Sequence, residues 1–142
     1  MKNSKVLFLP IILIFGALLI SNYYFQDKDV DRDKLPKYSQ RNPEVRAAYE
    51  YALSNPEILS NIPCYCGCYR LGHENVGNCF IKEVKEDGKV IFEEHGANCG
   101  MCYSIVLDSQ ELSEEGKSVQ EIRNYIDNKY SSYGQGTDTP KI

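Results

Sequence analysis

Tryptophan is absent from this 142-residue chain, methionine and histidine occur only twice each, and no cysteine lies outside residues 64–102. The missing tryptophan excludes nothing by itself. The shortage of basic residues excludes more: past residue 25 the chain holds 14 Lys and Arg against 20 Asp and Glu, and 14 minus 20 leaves a formal charge of −6. A phosphate backbone needs a basic face, so nucleic acid is not an expected partner. There is no recognisable Ser/His/Asp arrangement, phosphate-cradling loop or framed pair of carboxylates, and the sequence reads as that of a protein that is not an enzyme. No βαβ alternation precedes Cys99-Gly-Met-Cys102, which argues against a thiol-disulfide oxidoreductase using that pair. Tyr103 stands where covalent haem attachment would need a histidine.

What the chain does have is concentrated. Pro63-Cys64-Tyr65-Cys66-Gly67-Cys68 puts three thiols into five residues, His73 and Cys79 follow, and His95 with Cys99 and Cys102 completes the set. Thiols two residues apart along an extended backbone rarely meet the Cα separation and Cβ direction that a disulfide needs. They suit a soft ion, as ligands to one metal or as bridges between several. Gly67 supplies the backbone freedom for the loop to wrap. Cys99-Gly-Met-Cys102 has the spacing of a metal knuckle, and on one helix His95, Cys99 and Cys102 would share a face at i, i+4 and i+7, with the N-terminal dipole favouring thiolate. A disulfide framework is the alternative. Six cysteines allow fifteen pairings, but that reading leaves His73 and His95 without a role.

Around this region the chain divides into four segments. Residues 1–25 combine Lys2 and Lys5 with an uncharged run from Val6 to Ile20, extended to about twenty residues by Tyr23, Tyr24 and Phe25. At about 1.5 Å per residue such a run just spans a bilayer, and the leading lysines place the N-terminus in the cytoplasm. No Ala-x-Ala site follows, so retention as a signal anchor is expected over cleavage, and no cysteine near its end offers a lipid acceptor. Residues 26–41, with alternating charge, read as a tether. Residues 42–131 form the domain, and the Ser, Gly and Thr content of 132–142 reads as a disordered tail.

Within the domain, Asn42-Pro43-Glu44 starts a helix whose apolar face is Val45, Ala48, Tyr49, Ala52 and Leu53. Asn55-Pro56-Glu57 repeats the signal before a short turn carrying Ile58 and Leu59. Cys79–Val84 and Lys89–Glu93 flank Asp87-Gly88 as a hairpin. Asn98 is a candidate cap for a helix through about Leu112, broken at Gly116. Ser118-Val-Gln-Glu121 is a capping box for a last helix with Val119, Ile122, Ile126 and Tyr130 on its stripe. The expected fold is mostly α: a small single domain of about four helices with a short β-hairpin and a Cys/His-rich loop, behind an N-terminal transmembrane helix.

The hexapeptide at Pro63–Cys68 resembles the PCYCGC-motif family of bacterial extracytoplasmic proteins, many of them lipoproteins. The resemblance continues through His73, Cys79-Phe80, His95-Gly96, Cys99–Cys102 and Gly116–Tyr130, roughly residues 60 to 130. It implies an extracytoplasmic location and a shared cysteine pattern more than an activity. The chain departs from lipoprotein members in lacking the acceptor cysteine, which favours the helix as tether.

The sequence thus predicts a single-pass protein of the cell membrane, held through residues 6–25 with its C-terminal domain outside the cytoplasm. Its cargo is a soft metal for buffering, storage or transfer, with a donor or acceptor protein as possible partner. The expected ligands are Cys64, Cys66, Cys68, Cys79, Cys99 and Cys102 as thiolates, with His95 and His73 as neutral nitrogens. Cu(I) is the expected ion, since clustered soft ligands select it, and zinc the alternative. Neutralisation does not choose, because two Zn²⁺ or four Cu⁺ against six thiolates both leave −2. Met101 reads as a core contact. Tyr65, Tyr69 and Tyr103 are expected to cover the site.

Overall fold

The computed structural model describes residues 35–142. The expected anchor over 1–25 and residues 26–34 of the tether lie outside the described residues. Among those described, no helix is long and apolar enough to cross a membrane.

The described residues build a 3₁₀ turn (Lys37–Gln40), α1 (Pro43–Ser54), the single turn α2 (Pro56–Leu59), two 3₁₀ turns (Cys68–Leu71 and Val76–Cys79), β1 (Ile81–Val84), β2 (Val90–Phe92), the single turn α3 (His95–Asn98), α4 (Gly100–Glu114), α5 (Val119–Tyr130) and a last 3₁₀ turn (Ser131–Tyr133). Three main helices and a two-stranded antiparallel hairpin therefore carry a small, mostly helical domain. The count of about four helices is corrected to three plus two isolated turns. Pro63 explains one shortfall, because the residue before a proline is pushed out of helical φ/ψ and α2 cannot extend through Ile62.

α1 begins where its capping chemistry places it: the Asn42 side chain accepts from Val45 N at 2.8 Å, and Pro43 occupies the first position. Val45, Ala48, Tyr49 and Ala52 are buried, joined by Tyr51, whereas Leu53 is half-buried. This face packs on α4, which packs on α5. At the α4 C-terminus Gly116 takes φ +79°, and Lys117 N donates to Leu112 O at 3.0 Å while Gly116 N donates to Ser113 O, the Schellman arrangement that satisfies the last carbonyls. The Ser118/Glu121 capping box forms and opens α5, burying Ile122, Ile126 and Tyr130. The hairpin pairs Ile81 with Phe92 and Val84 with Val90 around a Gly88 at φ +80°.

The core is centred on Tyr49, whose ring lies edge-on to Phe80 at 4.9 Å and whose hydroxyl donates to Glu93 O. Burial, with the neighbouring Tyr38 and Glu93 adding to it, raises the Tyr49 phenol well above its ordinary value, so it remains a donor. Phe80, next to Cys79, is fully buried against this ring. The apolar core thus runs directly under the cysteines.

Both flanks of the expected domain need correction. Residues 35–41, read as tether, pack on it: Leu35 and Ser39 are buried and Tyr38 lies 6.0 Å from Tyr49. Residues 132–142, read as disordered, return across the domain as a strap, with Thr137 and Thr139 buried. Composition misled because the strap is held by hydrogen bonds, not by apolar burial of its own.

Candidate metal centre

Four segments bring the eight candidate ligands together. The loop Pro63–Gly67 leaves α2, and Gly67 at φ +87° turns it into the 3₁₀ turn that carries Cys68. Only glycine adopts that φ without strain. A second 3₁₀ turn, capped reciprocally by Asn75 and Asn78, ends at Cys79. Gly96 lets α3 lie directly on this turn, since a Cβ there would stand 2.6 Å from Phe80 Cε1 and 2.8 Å from Cys79 O. His95 is thereby delivered beside the thiols.

The single helix expected to carry His95, Cys99 and Cys102 is interrupted. Cys99 takes extended angles (φ −121°, ψ 106°) and serves as the cap residue of α4, its carbonyl accepting from Cys102 N and Tyr103 N at 3.1 and 3.3 Å. The three side chains still gather across the break. With Cys66 they form a set whose ligand atoms all lie within 4.8 Å of one another. Cys64, Cys68 and Cys79 form a second such set.

The sulfurs crowd into two groups that adjoin at Cys64. Cys64 Sγ lies 3.5 Å from Cys66 Sγ and 3.6 Å from Cys102 Sγ, Cys102 is 3.4 Å from Cys66, and Cys79 is 3.6 Å from Cys68. His95 Nε2 stands 3.4 Å from Cys66 Sγ, and His73 Nδ1 is 3.3 Å from Cys79 Sγ. A disulfide would need about 2.05 Å. Four sulfurs at about 2.3 Å around one ion stand about 3.8 Å apart. The observed spacings are close to the second figure, so these donors fit a thiophilic ion.

The electrostatics have the same origin. Contact with the Cys102 thiol, the largest influence on each, holds Cys64 and Cys66 well below an ordinary thiol, and Cys102 donates toward Cys66. Cys102 in turn is raised, foremost by its bond to Cys64, and Cys68 is raised, again foremost by Cys64. Packed thiols share protons because several adjacent negative charges in a buried space repel one another. A bound cation removes that conflict. Burial, then the neighbouring His95, lowers His73 and keeps its imidazole in the neutral form that ligates.

All eight expected ligands are therefore brought into one cluster. Met101 packs on the core. Of the tyrosines expected as a cover, Tyr65 and Tyr103 pack against the core, with Tyr65 also donating to Asp127 Oδ1 at 2.7 Å. Tyr69 instead stacks under the Arg70 guanidinium.

The residues that brace the loop went unread in the sequence. Cys64 N donates to Thr137 Oγ1 and Thr137 N donates to Cys64 O, both at 3.0 Å. Thr139 Oγ1 donates to Glu74 O at 2.6 Å and lies 2.9 Å from Thr137 Oγ1. Arg123, 9% exposed, donates to Asn61 O just before the loop and to Pro140 O and Thr139 O on the strap. The alternation Thr137-Asp138-Thr139 between Gly136 and Pro140 was the available signal, a strand-like period too short to stand out from a polar tail.

No curated protein and no solved structure matches this chain. One family does, over residues 20–142, which takes in the PCYCGC loop, the remaining cysteines, both histidines and the strap. The chain therefore belongs to the PCYCGC family, proteins of unknown function with a PCYCGC motif.

Proposed function

We propose that this protein binds a soft metal ion through its six thiols and two imidazoles and serves to buffer, store or hand on that ion. The observation that carries the reading is the sulfur cluster itself: six cysteines, free of disulfides, five of them in sulfur–sulfur contacts of 3.4–3.6 Å and Cys99 within 4.8 Å of Cys66 and Cys102, with His95 and His73 against Cys66 and Cys79. Cu(I) is the proposed ion, because sulfur dominates the donor set and soft ligands select it. Zinc is the second reading, favoured by the way the eight donors divide into sets of three cysteines and one histidine.

The role is one of binding, with no catalytic step. The apolar run Val6–Ile20 after Lys2 and Lys5 supports a domain held at the membrane and facing away from the cytoplasm. Purification under reducing, oxygen-free conditions, followed by elemental analysis and a thiol count in denaturant, tests the function. Six thiols with bound copper or zinc are expected. Pairwise-oxidised sulfurs without metal, in protein taken directly from cells, would overturn it.

A further inference from the structure

The eight donors are not equivalent, and the difference follows a boundary in the fold. Cys64, Cys68 and Cys79 are 0–2% exposed and form one close set, and His73 Nδ1, 3.3 Å from Cys79 Sγ, is the imidazole beside it. This set belongs to the PCYCGC loop and the two 3₁₀ turns after it, and it is braced from behind by the strap, which hydrogen-bonds both backbone groups of Cys64. Cys66, His95, Cys99 and Cys102 form the other set, in which only Cys102 is buried and the other three are half-exposed. Its donors come from the far side of the loop and from the α3–α4 break, where Cys99 is the residue between two helical segments. The two sets touch through Cys64, whose sulfur lies 3.5 Å from Cys66 and 3.6 Å from Cys102.

We infer that the cluster is two adjoining metal sites of unequal lability: a retained ion held by Cys64, Cys68, Cys79 and His73, and an exchangeable ion held by Cys66, His95, Cys99 and Cys102. The inference rests on the metal-binding reading above and adds to it which ligands release the cargo. Ligand exchange at a thiolate-bound ion proceeds by approach of an incoming donor. Three buried sulfurs backed by the core rings of Phe80 and Tyr49 deny that approach. The half-exposed edge of Cys66, His95 and Cys99 permits it. An acceptor of thiolate chemistry forms a metal–sulfur bond there as the bond from the metal to His95, the one uncharged ligand of its set, breaks. The retained ion then keeps the loop shaped while the other comes and goes. The acceptor this fits is a cysteine-bearing protein whose thiolates reach a half-open edge, not one that must enter a cavity.

The test uses Zn²⁺ as probe, loaded into the reduced protein, with a chromogenic chelator in excess as acceptor and native mass spectrometry for stoichiometry. Two bound ions are expected, released in two phases of equal amplitude. His95→Ala abolishes or accelerates the fast phase and leaves the slow one unchanged, whereas His73→Ala accelerates the slow phase alone. Both histidines are partly exposed, and far-ultraviolet circular dichroism confirms that the variants fold. Two ions leaving in one phase, one bound ion only, or a His95 variant that changes both phases alike would overturn the inference while leaving metal binding intact. No bound ion would overturn both.

Discussion

Replacing Thr137 by valine tests whether the strap braces the thiol loop. The substitution keeps the branched shape and nearly the volume, and it removes one atom, Oγ1, which accepts from Cys64 N at 3.0 Å and lies 2.9 Å from Thr139 Oγ1. Cys64 is fully buried, so its N–H loses its acceptor with no water to replace it. A buried donor left unsatisfied costs about 1–3 kcal/mol. Thr139 contributes little to that figure, since its hydroxyl retains Glu74 O at 2.6 Å. Thr139→Val is the internal control: it frees the carbonyl of Glu74, an exposed residue where water can take over, and should cost less. The assay is urea unfolding of the reduced, chelator-treated protein, which takes any bound ion out of the comparison. Thr137→Val is expected to be less stable by about 1–3 kcal/mol, and Thr139→Val by roughly half of that or less. A Thr137 variant within about 0.5 kcal/mol of the parent, the range of an ordinary surface change, would refute the bracing role. So would a larger loss at Thr139.

Three further outcomes are expected. Chelation under reducing conditions should lower the thermal midpoint markedly, because assembling the site couples binding to folding, and equal midpoints with and without chelator would count against a metal-dependent fold. Gly96→Ala forces its new Cβ against the Phe80 ring and the Cys79 carbonyl, and should destabilise by about 1–3 kcal/mol in calorimetry while weakening metal retention through the displaced His95. The Glu121 carboxylate accepts from Ser118 Oγ and Ser118 N at 2.7 and 2.8 Å, and these bonds hold its pKa below the ordinary 4.5. A depressed carboxyl stabilises the fold above its unfolded value, and that contribution disappears as pH falls through the folded one. Glu121→Gln should therefore be less stable than the parent near neutrality, with the gap closing only as melts are taken to pH below the ordinary carboxyl value; a gap that is independent of pH would contradict the capping box as the cause.

What could be read from the sequence was what rests on local chemistry. Asn42-Pro43, Asp87-Gly88, Gly116 and Ser118/Glu121 each satisfy or redirect backbone groups within a few residues, and each marks its boundary in the structure. The eight donors were legible because their residue types are scarce elsewhere and crowded here. The interruption at Cys99 was legible in part: the Asn98 cap placed a helix start one residue early, but no local signal showed that His95–Asn98 would form a separate turn before it. The strap was missed for a related reason. Its partners, Cys64, Glu74 and Arg123, are remote in the chain, and hydrogen bonds to backbone leave no hydrophobic period behind. Arg123, next to Ile122 on the last helix, went unread for the same reason and is the anchor of three carbonyls.

The pairing of Thr137 with Cys64 spans 73 positions, so the order of synthesis matters. Every cysteine and both histidines have been joined to the chain before Thr137 is added. At about 5–20 residues per second, the 35 residues after Cys102 take a few seconds. During that interval the nascent thiols sit on an unfinished scaffold, with the loop unpinned and its partner strand not yet made. Whatever oxidant or ion reaches them then meets a floppy polydentate chain, and the choice among sulfurs that the finished domain imposes does not yet exist.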